Sequence, residues 1–434
     1  MDTATCGWIS IPVMLLLLLT GIPVAYILAF VGFLGCWFVV GFDKTMILMG
    51  TTFYAKVANY NFSVLPLFIM MTQLTFHAGF AKDCFDAAKK WFGGLSMGMA
   101  HATMIAYAIV SAASGNAIAS CAALTRIVIP EFDRIGYDRK LGFGVMAAGA
   151  TLDPLIPPSM LMVVYGIIAE VSIAKLLIAG VLPGLVACIV FMATIYVVGK
   201  LNPKLGPRLP SYSWRERLIA IKDIWSIFLL VVIVLGGIYT GIFTPTEAGA
   251  IGAFGALAIG LLAGHIRGKE LRASLVDSAR MAGAILLIIG SAFFFSVFLA
   301  LTRLPTHVSA WLISLELHRM VILVGLFVFY IIVGMFLDMI AAMFITLPII
   351  LPGILALGFD PVWFGVIMIQ LCGVALLTPP YGLNLFTIKT VLPEVPMMDI
   401  IRGVIPFIVA AIVSLLIFAT FPQIALFLPN LMSN

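Results

Sequence analysis

Charge is what this chain lacks. Only 10% of its 434 residues are Asp, Glu, Lys or Arg, against about 25% in an ordinary soluble domain. So few charges cannot cover the surface of a water-soluble globule of this size. They also exclude a disordered chain and a nucleic-acid binder. Cysteine is sparse too: six residues with no Cys-x-x-Cys pair, expected as buried small apolar side chains rather than metal ligands or disulfides. The five histidines show no metal-ligand spacing. There is no His-Glu-x-x-His, no Gly-x-Gly-Asp and no P-loop, which argues against an intramembrane protease, against an ATP-driven motor and against an enzyme generally. The N-terminus has no basic n-region, so the first apolar stretch is expected to be a retained helix and not a signal peptide.

Apolar sequence is abundant, at 63% of the chain. A membrane-spanning helix needs roughly 20 apolar residues, and uncharged runs of that length recur from Ile9–Phe42 to Gly403–Asn434. The fold class expected is an all-α polytopic membrane protein. Several runs are interrupted. Gly21-Ile22-Pro23 splits the first, because glycine turns a helix and proline ends it. Trp91–Thr125 as one helix would be about 50 Å long, more than a bilayer. Its middle reads Ser111-Ala112-Ala113-Ser114-Gly115-Asn116, so a re-entrant hairpin is predicted. Asp153-Pro154-Leu155-Ile156-Pro157-Pro158-Ser159 and Thr378-Pro379-Pro380-Tyr381-Gly382 break two further segments. Non-helical backbone at membrane depth is tolerated only inside protein or beside a water-filled cavity.

The two Pro-Pro pairs, Pro157-Pro158 and Pro379-Pro380, define a fixed offset along the chain. The same offset joins Pro23 to Pro245, Asn116 to Asp338, Pro130 to Pro352, and Gly136-Tyr137-Asp138 to Gly358-Phe359-Asp360. The chain therefore reads as two copies of one unit. Each copy parses as three spans, a hairpin, a broken span and a last span. Five crossings per copy would invert the second copy, giving about ten spanning helices and two re-entrant hairpins. The first repeat is placed at 1–199, with hairpin 1 near 97–133 and a broken helix near 141–170. A basic cytoplasmic linker follows at 200–223. The second repeat is placed at 224–434, with hairpin 2 near 319–355 and a broken helix near 363–390. Inverted repeats with broken helices near the midplane are a secondary-transporter design.

The distribution of basic residues agrees with this parse. With the linker cytoplasmic, 18 of the 24 basic residues fall on the cytoplasmic side and five outside, while Arg126 lies within hairpin 1. That is the bias expected of cytoplasmic loops, and it puts both termini outside. Two amphipathic segments, Ala81–Phe92 and Gly268–Arg280, are expected to lie at the interface as arms. Glu247, after Thr244-Pro245-Thr246, reads as a helix N-cap partner.

Certain strings are recognisable: SGNAIASCAALTRIVIPEFDRIGYD (114–138), IPPSMLMVVYG (156–166), TPTEAGAIGA (244–253), FLDMIAAMFITLPIILPGILALGFDP (336–361) and LLTPPYGLNLF (376–386). The chain resembles the large membrane subunit (DctM type) of tripartite ATP-independent periplasmic (TRAP) transporters over nearly its whole length. The resemblance implies a sodium-driven, elevator-type secondary transporter in the bacterial inner membrane. It also implies a small four-helix membrane subunit and a periplasmic substrate-binding protein as partners. The cargo it implies is an organic acid such as a dicarboxylate, sugar acid or sialic acid. A self-sufficient elevator exchanger without a binding protein is the alternative. The chain departs from the family at Asp153-Pro154 and at Arg126, where the family usually carries small residues.

Hard cations prefer carbonyl, hydroxyl and carboxylate oxygens, and unwound segments between half-helices offer them. By resemblance, Ser114, Gly115 and Asn116 with Gly149, Thr151 and Asp153 would form a first sodium site. Asp338 with Gly373 and Thr378 would form a second. Ser114, Asn116, Arg126, Ser159 and Asp338 are the candidate substrate contacts. A carboxylate deep in an apolar stretch is costly and usually functional, which singles out Asp338. Asn116 also suits a hairpin-tip cap. Arg126 has two readings: snorkelling to the cytoplasmic base of its hairpin, or facing Asp153 or a substrate carboxylate.

Overall fold

The computed structural model describes residues 3–18, 20–208, 211–337 and 339–432. Among the described residues the chain is helical throughout, with no strand. Five helices are long and apolar enough to cross a membrane, or up to seven if each of two bent pairs counts as one span. Shorter apolar helices include Thr3–Leu18, Val24–Val40, Gly98–Ser114 and Pro361–Leu377. Large apolar side chains face outward on many of them. Phe38 is 81% exposed and Leu262 is 89% exposed, the surface expected of a protein whose flanks meet lipid.

The breaks fall where the sequence chemistry puts them. Helix Thr3–Leu18 gives way to Val24–Val40 across Gly21-Ile22-Pro23. Hairpin 1 consists of Gly98–Ser114 and Ala117–Ile135. Gly115 closes the first helix with a left-handed φ of 59°, and Asn116 opens the second by accepting a hydrogen bond from Ala119 N at 3.2 Å. A glycine in the left-handed region and an Asn N-cap are the cheapest ways to stop and restart a helix in quick succession. In the second half, Arg319–Phe336 and Met339–Ala356 occupy the region of hairpin 2.

Gly136-Tyr137-Asp138 and Gly358-Phe359-Asp360, paired by the repeat offset, adopt the same local conformation. Gly136 and Gly358 have φ of 81° and 78°. In each case the next residue's amide reaches back to a carbonyl of the last turn: Tyr137 N to Phe132 O at 2.9 Å and Phe359 N to Ile354 O at 3.3 Å. These are Schellman closures. Asp138 and Asp360 then cap the following helices. Each of these leads into a break, Arg139–Ala150 to Met160–Ile168 and Pro361–Leu377 to Leu383–Val391. Both Pro157-Pro158 and Pro379-Pro380 are cis.

Of the two amphipathic segments, one forms a helix of its own and the other does not. Phe80–Phe92 is a separate helix, turned 64° from the preceding Tyr60–His77 segment at Gly79. Gly268–Arg280 is not a separate arm, because it is the start of one 34-residue helix, Gly268–Leu301. No proline interrupts that helix, so the helix carries its charged first turns straight into the apolar stretch. The short helix that the repeat offset pairs with Phe80–Phe92 is Leu304–Ser314. The linker also ends as helix: Trp214–Lys222 is bent 53° from Ile224–Tyr239.

Candidate functional site at the first break

Asp153 sits in the unwound segment after Arg139–Ala150 and is 0% exposed. Two hydroxyls of hairpin 1 hold its carboxylate. Ser114 Oγ, in the last residue before the tip, donates to Oδ1 at 2.6 Å. Ser120 Oγ, in the first turns beyond the tip, donates to Oδ2. The Ser111 hydroxyl lies close to the same carboxylate without reaching hydrogen-bond geometry. One carboxylate thus ties both helices of the hairpin to the break. Among the described residues no Lys, Arg or His forms an ion pair with it.

The tip and the break fit tightly. A Cβ added at Gly115 would lie 2.5 Å from Pro158 O, and φ at Gly115 already favours glycine. The Ser114 carbonyl accepts from Thr72 Oγ1 at 2.5 Å, which anchors the tip to helix Val64–His77. Ser159 closes the break by donating to Pro154 O at 2.5 Å and capping Met162 N at 3.3 Å. Thr151 Oγ1 turns back to Ala148 O at 2.6 Å. Gly149 packs against the ring of Tyr107, and Gly373 of the second half faces Thr151, where an added Cβ would come within 3.4 Å.

The sequence candidates therefore divide. Ser114, Gly115, Asp153 and Ser159 meet at one place, with Thr151 and Gly149 on the adjoining helix end. Gly373 approaches the same place from the second half. Asn116 is half-buried at the tip with its side chain used as a helix cap. Thr378 is also half-buried and donates to Val374 O at 2.7 Å. Arg126 is exposed, on the helix beyond the tip, and does not pair with buried Asp153. Asp338 lies outside the described residues.

Sequence reasoning missed two residues. Ser120 gave no signal beyond its type, since a small polar residue on a membrane helix usually marks close packing. Asn384, in the string LLTPPYGLNLF, is 0% exposed and donates through Nδ2 to Ala147 O at 2.9 Å. Its presence directly after a break was the available signal.

The two breaks are not equally covered. Thr151 to Ser159 are buried apart from half-buried Ile156, whereas Pro380 and Tyr381 are exposed. The described residues hold no group of three His, Cys, Asp or Glu side chains fit for a metal ion. The donors on offer at the first break are hydroxyls, carbonyls and one carboxylate, the set preferred by hard cations.

An all-helical, multi-pass membrane protein with broken helices converging on a buried polar centre has the form of a transporter. Two solved transporters share the fold. YdaH from Alcanivorax borkumensis aligns with a TM-score of 0.58 at 14% identity, covering 88% of this chain and 89% of that one. MtrF from Neisseria gonorrhoeae, described as an antimetabolite efflux pump, aligns at 0.56 and 14% identity, covering 89% and 85%. The profile of the tripartite ATP-independent periplasmic transporter family, DctM component, matches residues 11–424, and the chain belongs to that family. It is 35% identical to the C4-dicarboxylate TRAP large permease protein DctM of Pseudomonas aeruginosa, over 86% of this chain and 87% of that one. It is 29% identical to the sialic acid large permease protein SiaM of Vibrio cholerae, over 98% and 97%. The 2,3-diketo-L-gulonate large permease protein YiaN of Escherichia coli is 28% identical over 93% and 94%.

Proposed function

We propose that this chain is the membrane subunit through which a sodium gradient drives an organic acid across the bacterial inner membrane. The observation that carries the reading is the Asp153 carboxylate, fully buried, held by two hairpin-tip hydroxyls and lacking a cationic partner among the described residues. An ionised carboxylate without a countercharge is expensive to bury. A bound sodium ion supplies the charge, and the neighbouring hydroxyls and unwound carbonyls supply further oxygens. The residues that would hold it are Ser114, Gly115, Asn116, Gly149, Thr151 and Asp153. A second site is assigned to Asp338, Gly373 and Thr378. Ser114, Asn116, Ser159, Asp338 and Arg126 are the candidate contacts for substrate.

Cargo of the carboxylate class is supported by the relatives, which are named for C4-dicarboxylate, sialic acid and 2,3-diketo-L-gulonate. Family membership supports a small membrane subunit and a periplasmic binding protein as partners. Helix ends that match at the offset of the Pro-Pro pairs support two repeats, 1–199 and 224–434, joined by the basic linker 200–223. Inversion of the second repeat is supported by the charge distribution. In the mechanism proposed, both hairpins and both broken helices slide as one body, and the other helices form its frame. Binding sodium neutralises Asp153, so the filled site crosses with less electrostatic cost than the empty, charged one.

The test is uptake into proteoliposomes holding this chain, its small subunit and the binding protein. Labelled C4-dicarboxylates, sugar acids and sialic acid are offered with and without an inward sodium gradient. Accumulation is expected only with the gradient. Equal uptake without it would overturn sodium coupling, and uptake without the binding protein would favour the self-sufficient exchanger.

A further inference from the structure

Asn384 belongs to the second half of the chain but is spent on the first. It is the second residue of helix Leu383–Val391, directly after the second break. Its Nδ2 donates to Ala147 O at 2.9 Å. Ala147 lies in the last turn of Arg139–Ala150, where helix carbonyls lose their intrahelical partners. The cap amide that would normally take this carbonyl, Thr151 N, bonds to Ala148 O at 3.0 Å instead. Asn384 therefore caps, from the other half of the molecule, the helix end that leads into Asp153.

A second contact closes the loop. The backbone carbonyl of Asn384 accepts from Cys121 Sγ at 3.7 Å. Cys121 follows Ser120, whose hydroxyl holds Asp153. Two consecutive residues of one hairpin helix thus reach both breaks. Residue 120 grips the first, and residue 121 grips the helix that follows the second. Asn384 is fully buried, and its Oδ1 has no donor among the described residues. A buried amide oxygen without a partner is costly, so the strap has unused bonding capacity on the side not facing Ala147.

We propose that Asn384 is a positioning residue that mechanically joins the two breaks, so that filling the site at Asp153 sets the position of the second broken helix. Asn384 touches neither ion nor substrate in this role. It acts by holding Ala147, and through it Thr151 and Asp153, in register with Leu383–Val391. The inference rests on the sodium-coupled reading above.

The experiment is initial uptake against sodium concentration by the full complex in proteoliposomes, for wild type, Asn384→Ala and Asn384→Ser. Loss of one buried hydrogen bond is expected to raise half-saturating sodium roughly three- to tenfold in Asn384→Ala. The steepness of the sodium curve should fall, with the maximal rate at saturating sodium within about twofold of wild type. Asn384→Ser keeps a donor and should shift less; it also serves if the alanine variant does not accumulate. An unchanged sodium curve overturns the proposal. So does a lower rate at all sodium concentrations with half-saturation unmoved, the signature of merely damaged protein. A wild type that ignores sodium removes the parent reading, and that is seen in the wild-type arm alone. A sodium-dependent wild type with variants on the same curve removes only Asn384.

Discussion

Gly115 and Gly358 both have a left-handed φ, but they are not equivalent. At Gly358 an added Cβ would meet nothing within 4 Å, so Gly358→Ala carries backbone strain alone, about 1 kcal/mol. At Gly115 the same Cβ would press on the Pro158 carbonyl at 2.5 Å, and backbone cannot swing aside as a side chain can. Gly115→Ala is expected to abolish uptake and lower the unfolding temperature in detergent more than Gly358→Ala, which should keep most of its transport. Equal effects of the two substitutions would mean that the tip and the break do not need their close fit. At this scale the sequence was informative wherever a residue has a backbone job. Gly115, Asn116 and the two Pro-Pro pairs could be assigned because stopping and starting helices needs those residue types. Glu247 likewise forms the expected capping box with Thr244, its carboxylate accepting from Thr244 N at 2.8 Å. Ser120 could not be assigned, because what defines it is a partner far away in sequence, and for Asn384 the sequence offered only its place directly after a break.

At the scale of elements, the arm Phe80–Phe92 touches hairpin 1 through charge. Lys89 pairs with Glu131, near the C-terminal end of the second hairpin helix, and Arg134 holds the same carboxylate through Nε at 2.8 Å and Nη2 at 2.7 Å. Trp91 Nε1 donates to Arg217 O at 3.0 Å, so the arm is also fastened to the linker helix. If the hairpin slides as proposed, the Lys89–Glu131 contact must open in every cycle. Replacing both residues with cysteine and oxidising them is then expected to stop uptake, and a reductant should restore it. Unimpaired uptake by the crosslinked protein would show that arm and hairpin base travel together. The misplaced second arm has a physical explanation. Amphipathic spacing over 268–280 identifies a helical face at an interface. It does not say whether the helix ends there, and between Arg280 and Met281 no breaker stands.

For the whole molecule, the sparse charges are more useful by position than by number. The topology proposed, with 18 of 24 basic residues on the cytoplasmic side, would place both ends of the chain outside. An alkaline phosphatase fused after Asn434 should be active, and a green fluorescent protein fused there should be dark. A bright, enzymatically silent result would reverse the orientation. The general architecture was readable because hydropathy and helix breakers act locally. The way the two halves close on each other was not, since periodicity says which face is apolar and not which helix covers it.

That closure has a consequence for how the protein is made. Tyr165 donates to Pro361 O at 2.7 Å, and Asn384 donates to Ala147 O at 2.9 Å. Each bond joins partners from opposite halves of the chain. A ribosome delivers the first partner long before the second, at about 5–20 residues per second. For that interval the newly inserted first half holds the Tyr165 hydroxyl and the uncapped Ala147 carbonyl without the partners that pair with them in the finished fold. The nascent chain must therefore carry these two groups unpaired until its own C-terminal half arrives to meet them.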